Sequence, residues 1–380
     1  MANRGDLFEV VFAASIAARF KKRFEKEEKF LKTSQEIKLY QLPNVTSDDV
    51  KKMLDSIVPN LNSGPASHST RDVVGEGKIT DYIRLRVSVP QAAASYMSKQ
   101  MGNRYIEVSD IVSQCANLCN THPTLNSRSR ELSINGKTDV IIVEAAGTKD
   151  QSGTKADVFV KVRSGGKTQA KYPDFSCKVP GGEQFHQVSG GSFDKFEELF
   201  KQLGVTISTQ TKENWISSMQ KYLDEDVFQK KFASRGEINE SKIPQNVKAA
   251  ASLVYSNASS ILETGLRDGT LKSKLIDYII YGFSRGVDTE LVKMTGSSSK
   301  ITGFKTLLVD DKFREKMMTY DYRAELGAGP IIKIYANGIT SPIMQFRYKW
   351  ENPSSGTTNK VYKVYPRHYL EALDGMFAIK

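Results

Sequence analysis

Gly153-Thr154-Lys155-Ala156-Asp157-Val158-Phe159-Val160-Lys161-Val162, then the turn Ser164-Gly165-Gly166-Lys167, then Tyr172-Pro173-Asp174-Phe175-Ser176-Cys177-Lys178: this stretch decides the fold. Residues 156–162 alternate, with Asp157, Phe159 and Lys161 on one face and three valines on the other, which reads as a strand with one buried face. The glycine pair supplies a tight turn. Residues 168–179 return as a second strand, interrupted by Pro173, where a bulge or a sheet edge is expected. A two-residue turn sets Asp157 opposite Asp174 and Ser176 opposite Lys155, leaving Asp157 four positions out of register with Lys178. A bulge at Pro173 shortens that gap.

Working outward, DVIIVEAAG (139–147) has the length and β-branched content of a buried strand. Residues 6–32 read as an amphipathic helix with Asp6 at its start, and Asp48–Val58 as a second. KITDYIRLRVS (78–88) reads as a strand, and residues 90–119 as helix with a break near Gly102. PGGEQFHQVSGGS is too glycine-rich to be regular structure and leads into the helix FDKFEELFKQLG. The middle, about 207–320, reads as mostly helical. GPIIKIYA, SPIMQFRYKWE and NKVYKVYP return to strands between 329 and 365. The expected fold class is therefore mixed α/β. A sheet core with its N-terminal helices takes residues 1–205, a helical lobe 206–325, and a β-rich segment packing on the core 326–380.

The 380 residues are enough for two or three packed units. With 39% hydrophobic and 26% charged residues, the composition excludes collagen-like, disulfide-scaffold and wholly disordered classes. Lysine and arginine total 54 against 43 acids, a net charge of +11, which favours a polyanionic partner, nucleic acid first. Three cysteines, Cys115, Cys119 and Cys177, point to reduced thiols in a cytoplasmic setting. Cys115 and Cys119 read as small buried helical residues, because a zinc site needs further ligands that the sequence does not offer near His122. No run approaches the roughly 18 apolar residues that span a bilayer, and charges around Glu9 make the opening segment a helix of a folded protein, not an address. No P-loop or dinucleotide fingerprint occurs, so no nucleotide cofactor is expected.

The chemistry concentrates where an acid opens one strand and a lysine stands on the next. Ser176 and Lys178 share a face because strand side chains alternate. Metal-assisted phosphodiester hydrolysis needs a carboxylate for Mg²⁺, a hard ion that wants oxygen. It also needs a cation to steady the negative charge that develops on phosphate. The runs KADVFVKV, DFSCK and GGEQFHQVSGG, with the opening helix RGDLFEVVFAASIAARF, resemble the core of the PD-(D/E)XK, or restriction-endonuclease-like, nucleases, in particular branches from restriction systems and phages. The resemblance covers residues 1–30 and 135–200, and 330–365 more loosely. It implies a restriction-endonuclease-like mixed sheet flanked by helices, with Asp157 as a metal-binding acid, Lys178 as the catalytic lysine and Glu9 as a helical carboxylate. Ser176 stands where the family pattern has a second acid, so another carboxylate has to complete the site. Glu9, Glu144 and Glu183 are the candidates.

Each residue also has a plainer reading. Asp157 can cap a strand after the Gly153 turn, and Lys178 can be an edge-strand lysine that blocks aggregation. Gln184 and Gln187 sit in a segment suited to orienting water or touching phosphate, with His186 between them at the surface. Arg347, Lys349, Lys360 and Lys363, interleaved with aromatic residues, suit a DNA-facing sheet over an aromatic core. The expected activity is Mg²⁺-dependent DNA cleavage in a bacterial or phage-infected cell, with DNA as partner and a homodimer where both strands are cut. The alternative is a catalytically inactive nucleic-acid-binding or phage structural protein that keeps a nuclease-like core.

Overall fold

Apolar and small residues fill every turn of the opening segment, and in the computed structural model it forms one 23-residue helix, α1 (Arg4–Lys26), buried on all sides from Asp6 to Phe20. The structure describes residues 4–26, 36–39, 42–61, 68–74, 83–127, 131–135, 139–145, 157–165, 167–181, 184–187, 193–224, 241, 243–284, 289–328, 331–350 and 362–377. They divide into two units: residues 1–182 with 287–309 (and Lys380), and residues 183–286 with 310–379.

The strands run in chain order. They are β1 (Glu36–Leu39), β2 (His68–Val74), β3 (Ile83–Pro90), β4 (Leu132–Asn135), β5 (Asp139–Ala145), β6 (Val158–Ser164), β7 (Lys167–Lys171), β8 (Asp174–Lys178) and β9 (Gln184–Gln187). After four of the second unit's helices come β10 (Thr289–Gly296), β11 (Ile301–Val309), β12 (Tyr322–Leu326), β13 (Ile331–Ala336), β14 (Met344–Trp350) and β15 (Tyr362–Tyr369).

In the first unit a mixed sheet has the order β11-β10-β8-β6-β5-β3-β2, with β7 also paired to β6. β5, β6 and β8 run antiparallel in turn, and β10 lies parallel to β8. One face of this sheet carries Ile141, Val143 and Ala145 opposite Val162, Val160 and Val158. That face packs on α1, whose other side meets the helices Ser47–Ile57 and Ser109–Thr121. Ala13, Ala14 and Ala17 let the neighbours approach closely, while Phe8, Phe12 and Phe20 fill the space, each contributing about 2–3 kcal/mol of apolar burial. Phe12 meets Phe175 of β8 edge to face at 5.4 Å, which fixes the height of α1 over that strand.

The second unit holds a five-stranded antiparallel sheet, β12-β13-β14-β15-β9. With it go the helices Phe193–Gln202, Thr209–Asp224, Gln245–Arg267, Lys272–Ser284, Asp311–Met318 and Leu370–Phe377. Phe346 of β14 is buried against Phe200 at 4.6 Å and Tyr278 at 6.3 Å. Of the expected aromatic core under the C-terminal strands, Phe346 is in place; the side chains of Tyr348 and Trp350 lie outside the described part.

The mixed α/β class is as expected, but several boundaries differ. The region 207–320, read as helical, contains the hairpin β10–β11, which belongs to the first unit's sheet. Its turn relies on Gly296 at φ +121°, where a Cβ would meet the Lys300 carbonyl at 2.3 Å. The boundary expected at residue 205 falls at 182, and the C-terminal strands lie in the second unit with β9, not in the unit that holds α1. Gln184–Gln187, read as irregular, is a strand because β15 offers it a ladder. The return strand after Gly165 is two strands, parted at Tyr172 and Pro173. Among the described residues no helix is long and apolar enough to cross a membrane.

A buried polar cluster ties the helices of the first unit to its sheet. Arg19 is 1% exposed and spends its donors on carbonyl groups: Pro43 at 3.0 Å, Cys119, Leu42 and the Asn126 side chain at 2.8 Å. Beside it, His122 Nδ1 accepts the Thr124 and Leu125 N–H groups at 3.2 and 3.4 Å, so the ring proton sits on Nε2, 3.4 Å from Glu290 Oε1. The Thr124 hydroxyl donates to the other Glu290 oxygen. Burial, then the Arg19 charge, push the His122 pKa down to about 3. Between about pH 3 and the ordinary histidine value near 6.5 the unfolded chain therefore binds a proton that the fold refuses. Stability is fully present above that window and falls as pH drops through it, by about 2 kcal/mol from pH 7 to 5. Urea unfolding at the two pH values should show the loss in the wild type and a smaller one in His122→Gln. Equal losses in both would contradict this role.

Candidate active site

The strand that opens with Asp157 meets its return strand by way of two slips. Next to the turn, where Gly165 takes φ +53°, Ser164 pairs with Lys167 and Arg163 with Thr168, as a two-residue turn dictates. The ladder then shifts between Val162 and Arg163, and a further shift across Tyr172 and Pro173 leaves Val158 opposite Phe175. Asp157, one step beyond, thus comes level with Ser176 instead of Asp174. The interruption expected at Pro173 is one of the two slips, and together they halve the offset between Asp157 and Lys178.

At this point the sheet forks. β8 leaves β6 after the single pair Val158–Phe175 and continues along β10, from Asp174–Thr289 to Lys178–Lys293. The Asp157 N–H donates to the Phe175 carbonyl at 2.7 Å. Beyond it the carboxylate takes over the ladder: Asp157 Oδ2 accepts the Cys177 N–H at 2.6 Å. The same oxygen accepts the Lys178 ammonium at 3.2 Å, with the Ser176 hydroxyl at 3.5 Å. The side chains of Lys178 and Asp157 are 25% and 20% exposed, so the pair is reachable from solvent while largely held by protein.

Glu9 belongs to α1, on the side of the sheet that carries Cys177; it is buried, and its charge acts on the Cys177 thiol and, after Asp157, on the Lys178 ammonium. Burial works to lower the Lys178 pKa, but the Asp157 carboxylate first, with Glu9, outweighs it and holds the ammonium above the usual lysine range. Lys178 is therefore a cation throughout neutral pH and is no general base. Burial, with Asp157 and Glu9, pushes the Cys177 thiol well up, which makes it inert. Cys115 and Cys119 are likewise buried, in the helix Ser109–Thr121.

Not every expected residue joins this group. Glu144 stands opposite Phe159 in β5 and is not among the groups that act on Lys178. Glu183 and Lys360 lie outside the described residues. Gln184 and Gln187 pair through their backbones with Tyr369 and Arg367 in the second unit, and their side chains lie outside the described part. Arg347 pairs with Ile331 and Tyr365, and Lys349 with Lys363, again described only in the backbone. Lys293 and Lys305 were not among the expected residues, because their hairpin was read as helix; the short β-branched and apolar run of TELVKMT carries no strict alternation to reveal it.

A Mg²⁺ ion keeps several waters and needs only one or two carboxylates from protein. Among the described residues no group of three or more His, Cys, Asp or Glu side chains stands together. Asp157 and Glu9 are hard oxygen donors of the right kind for an ion bound in that way. No protein-family model matches the chain, and no curated protein does.

Proposed function

We propose that the chain is a Mg²⁺-dependent endonuclease that hydrolyses DNA phosphodiester bonds, built on a restriction-endonuclease-like core of α1, β5, β6, β8 and β10. The observation that carries the reading is the Asp157–Lys178 pair at the fork, a strand-opening aspartate beside a lysine kept protonated, with the Glu9 charge acting on the same ammonium. Asp157 and Glu9 would hold the ion. When bound, Mg²⁺ neutralises phosphate charge and lowers the pKa of a coordinated water.

The chain's own contribution is electrostatic. In the hydrolysis a water oxygen bonds to phosphorus, the bond to the leaving oxygen breaks, and that oxygen takes up the proton the water gives up. Negative charge grows on the non-bridging oxygens as this happens. The Lys178 ammonium, fixed in place by Asp157, stabilises that charge without having to reorganise. The basic balance of the chain supports a polyanionic substrate. Cutting both strands at one place would take two copies of the chain.

One observation favours the inactive alternative. Ser176 offers a weak ligand where a second strand carboxylate is usual, and the Asp157–Cys177 bond gives Asp157 a purely structural task. Incubation of the purified chain with supercoiled plasmid distinguishes the two. The endonuclease reading expects nicked and linear DNA with Mg²⁺ and none with EDTA. DNA binding that weakens with salt, with no cutting in Mg²⁺ or Mn²⁺, would leave a holder of DNA and overturn the catalytic reading.

A further inference from the structure

Cross-strand register places three lysines in one row. Lys178 of β8 pairs with Lys293 of β10, and Lys293 pairs with Lys305 of β11. Paired positions of neighbouring strands point to the same side of a sheet. The three ammonium-bearing side chains therefore share the face that carries Ser176, opposite the face on which Val292 and Met294 join the α1 core. The adjoining row on the lysine side is Ser176, Leu291 and Leu307, with Leu291 fully buried, so the charges begin where the apolar floor ends. In the row beyond, Thr295 pairs with Gly303, and the Thr295 hydroxyl lies 3.0 Å from where a Cβ on Gly303 would be.

Lys293 and Lys305 are both partly exposed. Two inter-strand steps span about 10 Å, and one strand of duplex DNA carries a charge per about 3.4 Å of axis. The row thus covers about three such axial intervals, enough to reach along a run of successive phosphates.

We infer that Lys178, Lys293 and Lys305 form a track for the sugar-phosphate backbone of the strand being cut, with Lys178 at the scissile phosphate and the other two on its neighbours. This rests on the reading of the fork as a DNA-cleaving site and adds where the substrate backbone runs. The contacts are to phosphate, so they position the strand and carry no base sequence.

The test is binding of the full chain to a fluorescein-labelled duplex in EDTA, read by anisotropy from 50 to 300 mM KCl. Lys293→Ala and Lys305→Ala are each expected to weaken binding and to reduce the slope of log K against log salt by about 0.9, the double variant by about 1.8. Lys293→Arg and Lys305→Arg should keep the wild-type slope. Lys99→Ala, an exposed lysine on the helix Gln91–Gly102, should change neither quantity. Wild-type affinity and slope in the double variant, with Mg²⁺-dependent cutting by the wild type, would overturn the track and leave the endonuclease. The expected slope changes in a protein that never cuts would retain the track as a DNA-binding surface and overturn the catalytic reading instead.

Discussion

Lys178→Met is expected to slow DNA cleavage by about 10²–10³-fold at saturating Mg²⁺ and DNA, the cost of losing one preorganised charge from the transition state. The side chain is held by Asp157 at 3.2 Å, and its pKa is raised, so what the substitution removes is a fixed cation and not a base. Wild-type and variant rates should therefore run parallel across pH 6–9, without a new limb in the variant's profile. The fold should tolerate the change, because Asp157 keeps the Cys177 N–H and methionine fills much of the same space. Because the row argument also gives Lys178 a phosphate, the rate is best measured in single turnovers with enzyme in excess, where weaker binding does not enter.

The largest effect on stability is expected at Arg19. Arg19→Met should cost the first unit about 3–5 kcal/mol, the scale on which removal of one partner from a buried charged network is felt. The guanidinium donates to acceptors from three places: the segment at Leu42 and Pro43, the end of the helix Ser109–Thr121, and Asn126. Losing it strands those acceptors away from water. Part of that cost is returned because a charge with no carboxylate partner among these contacts is no longer desolvated, burial being the first cause of its lowered pKa. Arg19→Lys should recover little, since one ammonium cannot reach acceptors arranged around a planar fork. Denaturant unfolding followed by the first unit's transition measures the change. A loss under about 1 kcal/mol would show the network to be dispensable.

What could be read from the sequence followed from local pattern. Alternation gave β6, the β-branched run gave β5, and the apolar run from Leu7 gave α1, because each signal lies within one element. The companionship of Asp157, Ser176 and Lys178 could be inferred from strand periodicity, but their meeting could not. It depends on two ladder slips, at Val162 and at Pro173, that no turn residue announces in full. The hairpin β10–β11 was hidden for a different reason. Leu291, Val292 and Met294 form an apolar cluster with no strict alternation, since both faces of β10 are buried there. Its position next to β8 also depends on the chain's returning after about a hundred residues spent in the other unit. Glu9 was legible as a carboxylate among apolar helical neighbours. Where its carboxylate stands relative to Asp157 and Glu144 depends on how α1 packs on the sheet, which no pattern within the helix announces.

Plasmid cleavage by the wild type and Asp157→Asn, side by side in Mg²⁺, separates a cutting site from an aspartate with a structural task alone. Asparagine keeps an oxygen for the Cys177 N–H and removes only the charge. The account predicts nicking and linearisation by the wild type, and a loss of at least about 10²-fold in the variant at an unchanged melting temperature. Equal cutting by the two proteins would contradict it.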